Sequence, residues 1–307
     1  MPCPASIRTA NVGIASSLPY QPVAIFVGGT SGIGAGMARA FARYRNGDAH
    51  IVLVGRNRAA AEEILASLPK PDGKEAKHEF VECDVSLMRN VRRTTAELTA
   101  RLPKVNFLVM SPGIMTLQGR TESDEGIDRK LALHYYARWR FAYDLIPLLQ
   151  KAKDAGEDAK VMSVLSGGLD SGEVDLNDLG LKTGYGPAAA ARTTATYNNL
   201  MIQSFAEKHP TLSFLHIAPG VVRTPIIYSL GRENALMSLT NPLISILGYA
   251  LGVSADECAE YMWRGMFASG KGWSRWSKHG EDVGEKNLWS TPEAQEKLWR
   301  HTLEATS

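Results

Sequence analysis

Cysteine is scarce in this 307-residue chain. Cys3, Cys83 and Cys258 lie far apart, with no C-x-x-C spacing and no Cys/His cluster, which argues against a disulfide framework and gives no metal site. A reducing, cytoplasmic setting is the expectation. An excess of either charge is missing too. Against 34 basic residues stand 32 acidic ones, a formal net charge of +2, so there is no electrostatic footprint for nucleic acid or for an anionic membrane. Long apolar runs are also absent. The most hydrophobic late stretch, Pro242 to Val253, is too short to span a bilayer. The first twenty residues carry Arg8 as their only charged side chain and no apolar core, which predicts neither a secretory nor a mitochondrial leader. These absences leave small-molecule chemistry as the expectation.

What is present is a hydrophobic fraction of 44%, enough for a large core in one domain. Apolar runs at 23–27, 50–54, 80–83, 105–110, 161–165 and 212–217 read as six strands. Helical spacing follows the first of them from Met37 to Ala42, then recurs at 59–68, 87–101, 125–150 and 187–208. Strands that alternate with helices imply parallel βαβ units, hence an α/β fold of the Rossmann type: a doubly wound parallel sheet between two helical layers. The segment 1–20 reads as a loose N-terminal arm and 21–307 as a single nucleotide-binding domain. Beyond Pro219 the alternation fades, and an insertion at about 225–290 is expected to form a lid over the substrate, since ligands in such folds sit beyond the carboxyl ends of the strands.

The first strand runs into Gly28-Gly29-Thr30-Ser31-Gly32-Ile33-Gly34 and then into a helix. A glycine turn at that junction lets backbone approach a pyrophosphate, and the helix start offers free N–H groups and a partial positive charge. The second strand ends in Gly55-Arg56-Asn57-Arg58, with no acidic residue to accept the ribose 2′-hydroxyl of NAD. Arg56 instead suits a 2′-phosphate, so NADP(H) is the expected cofactor; the alternative is a surface arginine at a strand end.

The spacing of Gly28, Gly32 and Gly34 resembles the fingerprint of the short-chain dehydrogenase/reductase family. Further matches are Asp84-Val85, Met110-Ser111-Pro112-Gly113, Glu125 to Arg129, and Pro219-Gly220-Val221-Val222-Arg223-Thr224. The resemblance implies that Gly28, Thr30, Ser31, Gly32, Ile33, Gly34, Arg56 and Asn57 hold the nucleotide, with Asp84 and Val85 at the adenine. It places Ser111, Gly113 and Arg129 on the cofactor side, and Pro219, Gly220, Val222 and Thr224 around the nicotinamide. The L-A-L-H-Y-Y and S-A-D-E-C-A-E-Y-M-W stretches are similar to divergent fungal members that act in secondary metabolism.

In this family a tyrosine protonates the substrate oxygen, a lysine four residues on lowers its pKa, a serine orients the carbonyl and an asparagine supports a relay. A free phenol has a pKa of about 10, and bringing it to neutrality takes roughly 4 kcal/mol of phenolate stabilisation. Ser166 matches the serine, but the tyrosine and lysine positions fall on Ala191 and Ala195, and the asparagine position carries His134. None of the ten tyrosines has Lys four residues later, and no Lys occurs between Lys182 and Lys208. The resemblance thus leaves Ser166 and His134 as the candidate catalytic residues, with a satisfied core histidine as the alternative for a lone His on an otherwise apolar helix. Tyr197 is expected to pack in the core and Tyr185 to serve a turn.

The first expectation is an NADP(H)-dependent oxidoreductase acting on a lipophilic secondary metabolite. A non-redox cyclase, isomerase or dehydratase, or a non-catalytic NADP-binding protein, is the alternative. Family members often pair through the two long helices, here 125–150 and 187–208, which makes a homodimer possible, though core packing equally explains their apolar faces.

Overall fold

The computed structural model describes residues 3–71, 77–167, 172–226 and 252–307. The uninterrupted apolar runs become central strands, because a parallel strand covered on both faces needs apolar side chains at every position. Strand β1 (Val23–Val27) sends Val23, Ile25 and Val27 to one face, and Ala24 and Phe26 to the other. Strands β2 (His50–Gly55), β3 (His78–Glu82), β4 (Phe107–Met110), β5 (Lys160–Val164) and β6 (Ser213–Ile217) extend the sheet. A seventh, β9 (Gly272–Trp276), completes the order β3-β2-β1-β4-β5-β6-β9, and every pairing is parallel.

One layer holds α1 (Pro4–Ser16), α2 (Gly32–Tyr44), α3 (Arg58–Ser67) and α8 (Ala255–Ala268). The opposite layer holds α4 (Met88–Arg101), α5 (Arg129–Leu131), a π-helical turn (Ala132–Tyr136), α6 (Ala137–Asp154), α7 (Pro187–Lys208) and α9 (Pro292–Ala305). The expected three-layer α/β/α sheet is what the chain forms. Strand order reverses between β1 and β4, which opens a crevice at their carboxyl ends.

Two expectations meet a different structure. The N-terminal arm contains a docked helix: Ile7, Asn11 and Ala15, one turn apart in α1, are buried, and Asn11 Nδ2 donates to the Glu260 carbonyl at 2.9 Å. The sequence hides this because only three α1 side chains are buried, and Asn11 and the exposed Arg8 reach Glu260 through polar bonds rather than through an apolar stripe. Within the expected lid, α8 instead packs on α2, and β9 hydrogen-bonds to β6 as sheet. Residues 227–251, the remainder of that lid's first half, lie outside the described residues. Their flanks meet in a two-stranded parallel pairing, Val222–Arg223 (β7) against Val253–Ser254 (β8).

Candidate active site

Gly28 follows β1 with a φ of 80°, and a Cβ there would lie 2.9 Å from the backbone nitrogen of Pro112 in the turn after β4. Only a residue without a side chain fits both demands. Gly34, one turn into α2, sits so close to the Gly28 carbonyl that a Cβ would come within 2.5 Å of its oxygen. The two glycines thus set helix against strand. Helix α2 then starts at Gly32 with no side-chain cap from Ser31 and no acidic residue in its first turn. Its N-terminus therefore keeps N–H groups and positive partial charge for an anion, as a diphosphate requires.

A groove of about 190 Å³ runs over this turn. It is lined by Gly28, Thr30, Ser31, Gly32, Ile33, Arg56, Val85, Ser111, Gly113 and Thr224 among the residues expected from the sequence. Arg56 is exposed and forms no ion pair among the described residues, whereas its neighbour Arg58 is engaged by Glu82 at 3.1 Å. Three expected contacts are occupied elsewhere. Asn57 Oδ1 caps α3 by accepting from the Ala60 amide. Asp84 accepts from the Ser86 amide and hydroxyl; burial opposes its charge, but those bonds and the nearby Arg56 and Arg129 hold its pKa low. Arg129 lines a separate cavity with Lys130 and Tyr185.

The groove opens into a second, more apolar cavity of about 290 Å³. Pro219, Gly220, Val222 and Thr224 line it, as the sequence suggested for the nicotinamide end, together with Ile114, Val164, Leu165 and Ile226. Neither a tyrosine nor a lysine is among its described lining residues. Met115, Leu117 and Val221 remain exposed large apolar side chains in the same loops.

His134 lies in the π-helical turn and faces this cavity, where its Nε2 accepts the Ile114 amide at 3.2 Å. Burial, with the charges of Arg138 and Lys130, pushes its pKa down to about 3, so the imidazole is neutral at physiological pH. Any proton it passes must leave from a neutral ring. Ser166 follows β5, and its amide donates to Nε2 of His216, whose Nδ1 is 2.7 Å from Asn199 Oδ1. The Ser166 hydroxyl is buried without a partner. An unsatisfied buried hydroxyl is costly; the apolar cavity is walled by Val164 and Leu165 beside it, while Ser166 itself is not among its described lining residues.

Ala191 is exposed and Ala195 buried on α7, and neither lines the cavity. Tyr197 is buried and donates its hydroxyl to the Leu179 carbonyl at 2.9 Å, a packing role. Burial, then the carboxylate of Asp128, pushes the Tyr185 phenol up to about 12, away from what a general acid needs. The sequence did not single out Arg138, which is fully buried on α6 and lines the cavity, nor its partner Ser163, whose hydroxyl donates to Asn198 Oδ1 at 2.6 Å. The stretch Tyr135 to Phe141 holds two arginines, Arg138 and Arg140, among aromatic residues and one alanine, and nothing in the sequence separates the buried one from the other.

Comparison with known proteins agrees with this geometry. Residues 22–169 match the short chain dehydrogenase family. An oxidoreductase of Emericella nidulans is 38% identical over 72% of this chain and 64% of its own length. One of Emericella variicolor is 35% identical over 85% of this chain and 74% of its own. The polyprenol dehydrogenase of Homo sapiens is 25% identical over 94% and 86%. Among solved structures, the NADPH-bound carbonyl reductase from chicken fatty liver superposes with a TM-score of 0.59 over 87% of this chain and all of its own, at 19% identity, a likeness of fold. Glycine cradle, sheet order and sequence likeness together establish that the chain belongs to the short-chain dehydrogenase family.

Proposed function

We propose that this chain is an NADP(H)-dependent oxidoreductase acting on a lipophilic small molecule of secondary metabolism, in the cytoplasm. The observation that carries the reading is the retained cradle: an uncapped α2 N-terminus behind close-packed glycines, with an unpaired Arg56 at the end of β2 and an apolar cavity beyond. Relatives named as oxidoreductases, one of them a polyprenol dehydrogenase, support the activity and the apolar substrate. When bound, the nicotinamide supplies or accepts a hydride.

The chain's own residues do the rest. Backbone N–H groups of the glycine turn hold the diphosphate, and the Arg56 guanidinium faces the 2′-phosphate. The apolar walls exclude water. The partnerless Ser166 hydroxyl orients a substrate oxygen, and neutral His134 or solvent passes protons. Loss of the family phenol restricts the chemistry to acceptors that need no strong acid at oxygen, such as iminium ions or activated enones.

Titration with NADPH and NADH is the test. Arg56→Gln should weaken NADPH by about 10- to 100-fold, the value of a charge-assisted hydrogen bond, and leave NADH unchanged. Equal affinity of the wild type for both nucleotides would overturn the NADP assignment. In the same assay, substrate-dependent loss of NADPH absorbance should slow by about 10²-fold in Ser166→Ala and His134→Ala. Wild-type rates in both remove their proton roles.

A further inference from the structure

Arg138 is 1% exposed, yet among the described residues no carboxylate pairs with its charge. Its Nε donates to the Leu133 carbonyl at 3.1 Å, Nη1 to Met110 O, Ser163 Oγ and Val164 O, and Nη2 to Pro112 O at 2.6 Å. Every acceptor is neutral. Nη1 divides two hydrogens among three acceptors, so one N–H of Nη2 has no acceptor among the described residues. Burial alone lowers the pKa, to about 9, which leaves the guanidinium charged at neutral pH.

A buried cation without a counter-charge is costly and usually paired. This one also lines the apolar cavity, where every other described lining residue is uncharged, His134 included. Lys130 and Arg129 line the adjoining cavity, which shares Ile114 and Met115, and so add to the positive side. The only acid there, Asp128, is committed to the amides of Thr121, Lys130 and Leu131. Among the described residues, then, nothing supplies the counter-charge.

We propose that the cavity binds an apolar carboxylate, its anionic head set toward Arg138 and its body along Val164, Leu165, Val221 and Ile226. This rests on the reading of that cavity as the substrate site and narrows the substrate class to lipophilic acids. A guanidinium in a low-dielectric wall favours such a head over a neutral group of the same shape, because water no longer screens the pair.

The test compares 2-naphthoate with 2-naphthamide, which match in shape and differ in charge, by calorimetric titration of the full chain with and without saturating NADPH. The acid is expected to bind at least ~10-fold more tightly than the amide, the factor equivalent to one decade in affinity. Arg138→Met should bring the ratio near one, and Arg138→Lys should retain most of it. An arginine that only braces β4 against β5 would be indifferent to the charge of the probe. An amide that binds as well as the acid, no binding of either, or a preference that survives in Arg138→Met overturns the proposal. Should Arg138→Met fail to fold, the wild-type ratio and Arg138→Lys still decide. The nucleotide titration fails or succeeds separately, so failure of the NADP reading and failure of the carboxylate reading are distinguishable.

Discussion

At the scale of single residues, the glycine turn and much of the cavity lining were legible in the sequence, and the buried cation in the cavity wall was not. Gly28, Gly32 and Gly34 announce themselves because no other residue tolerates those approaches and dihedral angles. Arg138 and Ser163 gave no comparable signal, since their roles come from strands and helices converging from distant parts of the chain. Asn57 carries a second signal, since a residue just before a helix has its side chain within reach of the first free amides, and here it caps α3. His134 supplies a pH prediction. Its folded pKa is about 3 against an ordinary 6.5, so as pH falls the unfolded chain binds the proton first. The stabilisation is complete above about pH 6.5 and is lost as pH falls toward 3. Between pH 7 and pH 5 this residue should cost about 2 kcal/mol of stability, with buried His216 adding in the same direction. Urea unfolding at the two pH values should show the drop, and His134→Asn should flatten it by that amount. An unchanged slope in the variant would refute the assignment.

At the scale of elements, the inner strands were readable because burial on both faces demands continuous apolar runs, and their observed ends differ by only one or two residues. Strand β9 escaped. Its sequence Gly-Trp-Ser-Arg-Trp offers no such run, and the buried Arg275 reaches the carbonyls of Gly284 and Lys286 through its Nη1. Helix α1 escaped for a related reason, as its docking is largely polar. Glu260 of α8, with a side chain 1% exposed, accepts from Asn11, Tyr44 and Arg8 and thereby ties α1 to α2 and α8. Glu260→Ala should destabilise the chain by about 3 kcal/mol or more, since it strands several buried donors at once. Thermal unfolding checks this. A variant within experimental error of wild type would mean that α1 is held by apolar contact alone.

At the scale of the whole molecule, the surfaces offered by the two long helices are not free. Trp299 of α9 sits 5.0 Å from the ring of Trp139 on α6 and 4.9 Å from Phe205 on α7, and Thr302 hydrogen-bonds Tyr135 at 2.7 Å. Helix α9 thus covers part of α6 and α7 from within the same chain. A monomer of 33.4 kDa is the expected species in sedimentation equilibrium, and a concentration-independent dimer would contradict it. The β7–β8 pairing has a different kind of consequence. Because Val222 and Arg223 pair directly with Val253 and Ser254, the two ends of the intervening segment are already held side by side, so residues added to that segment would raise its closure entropy only slowly, by about 0.6 kcal/mol per doubling of length.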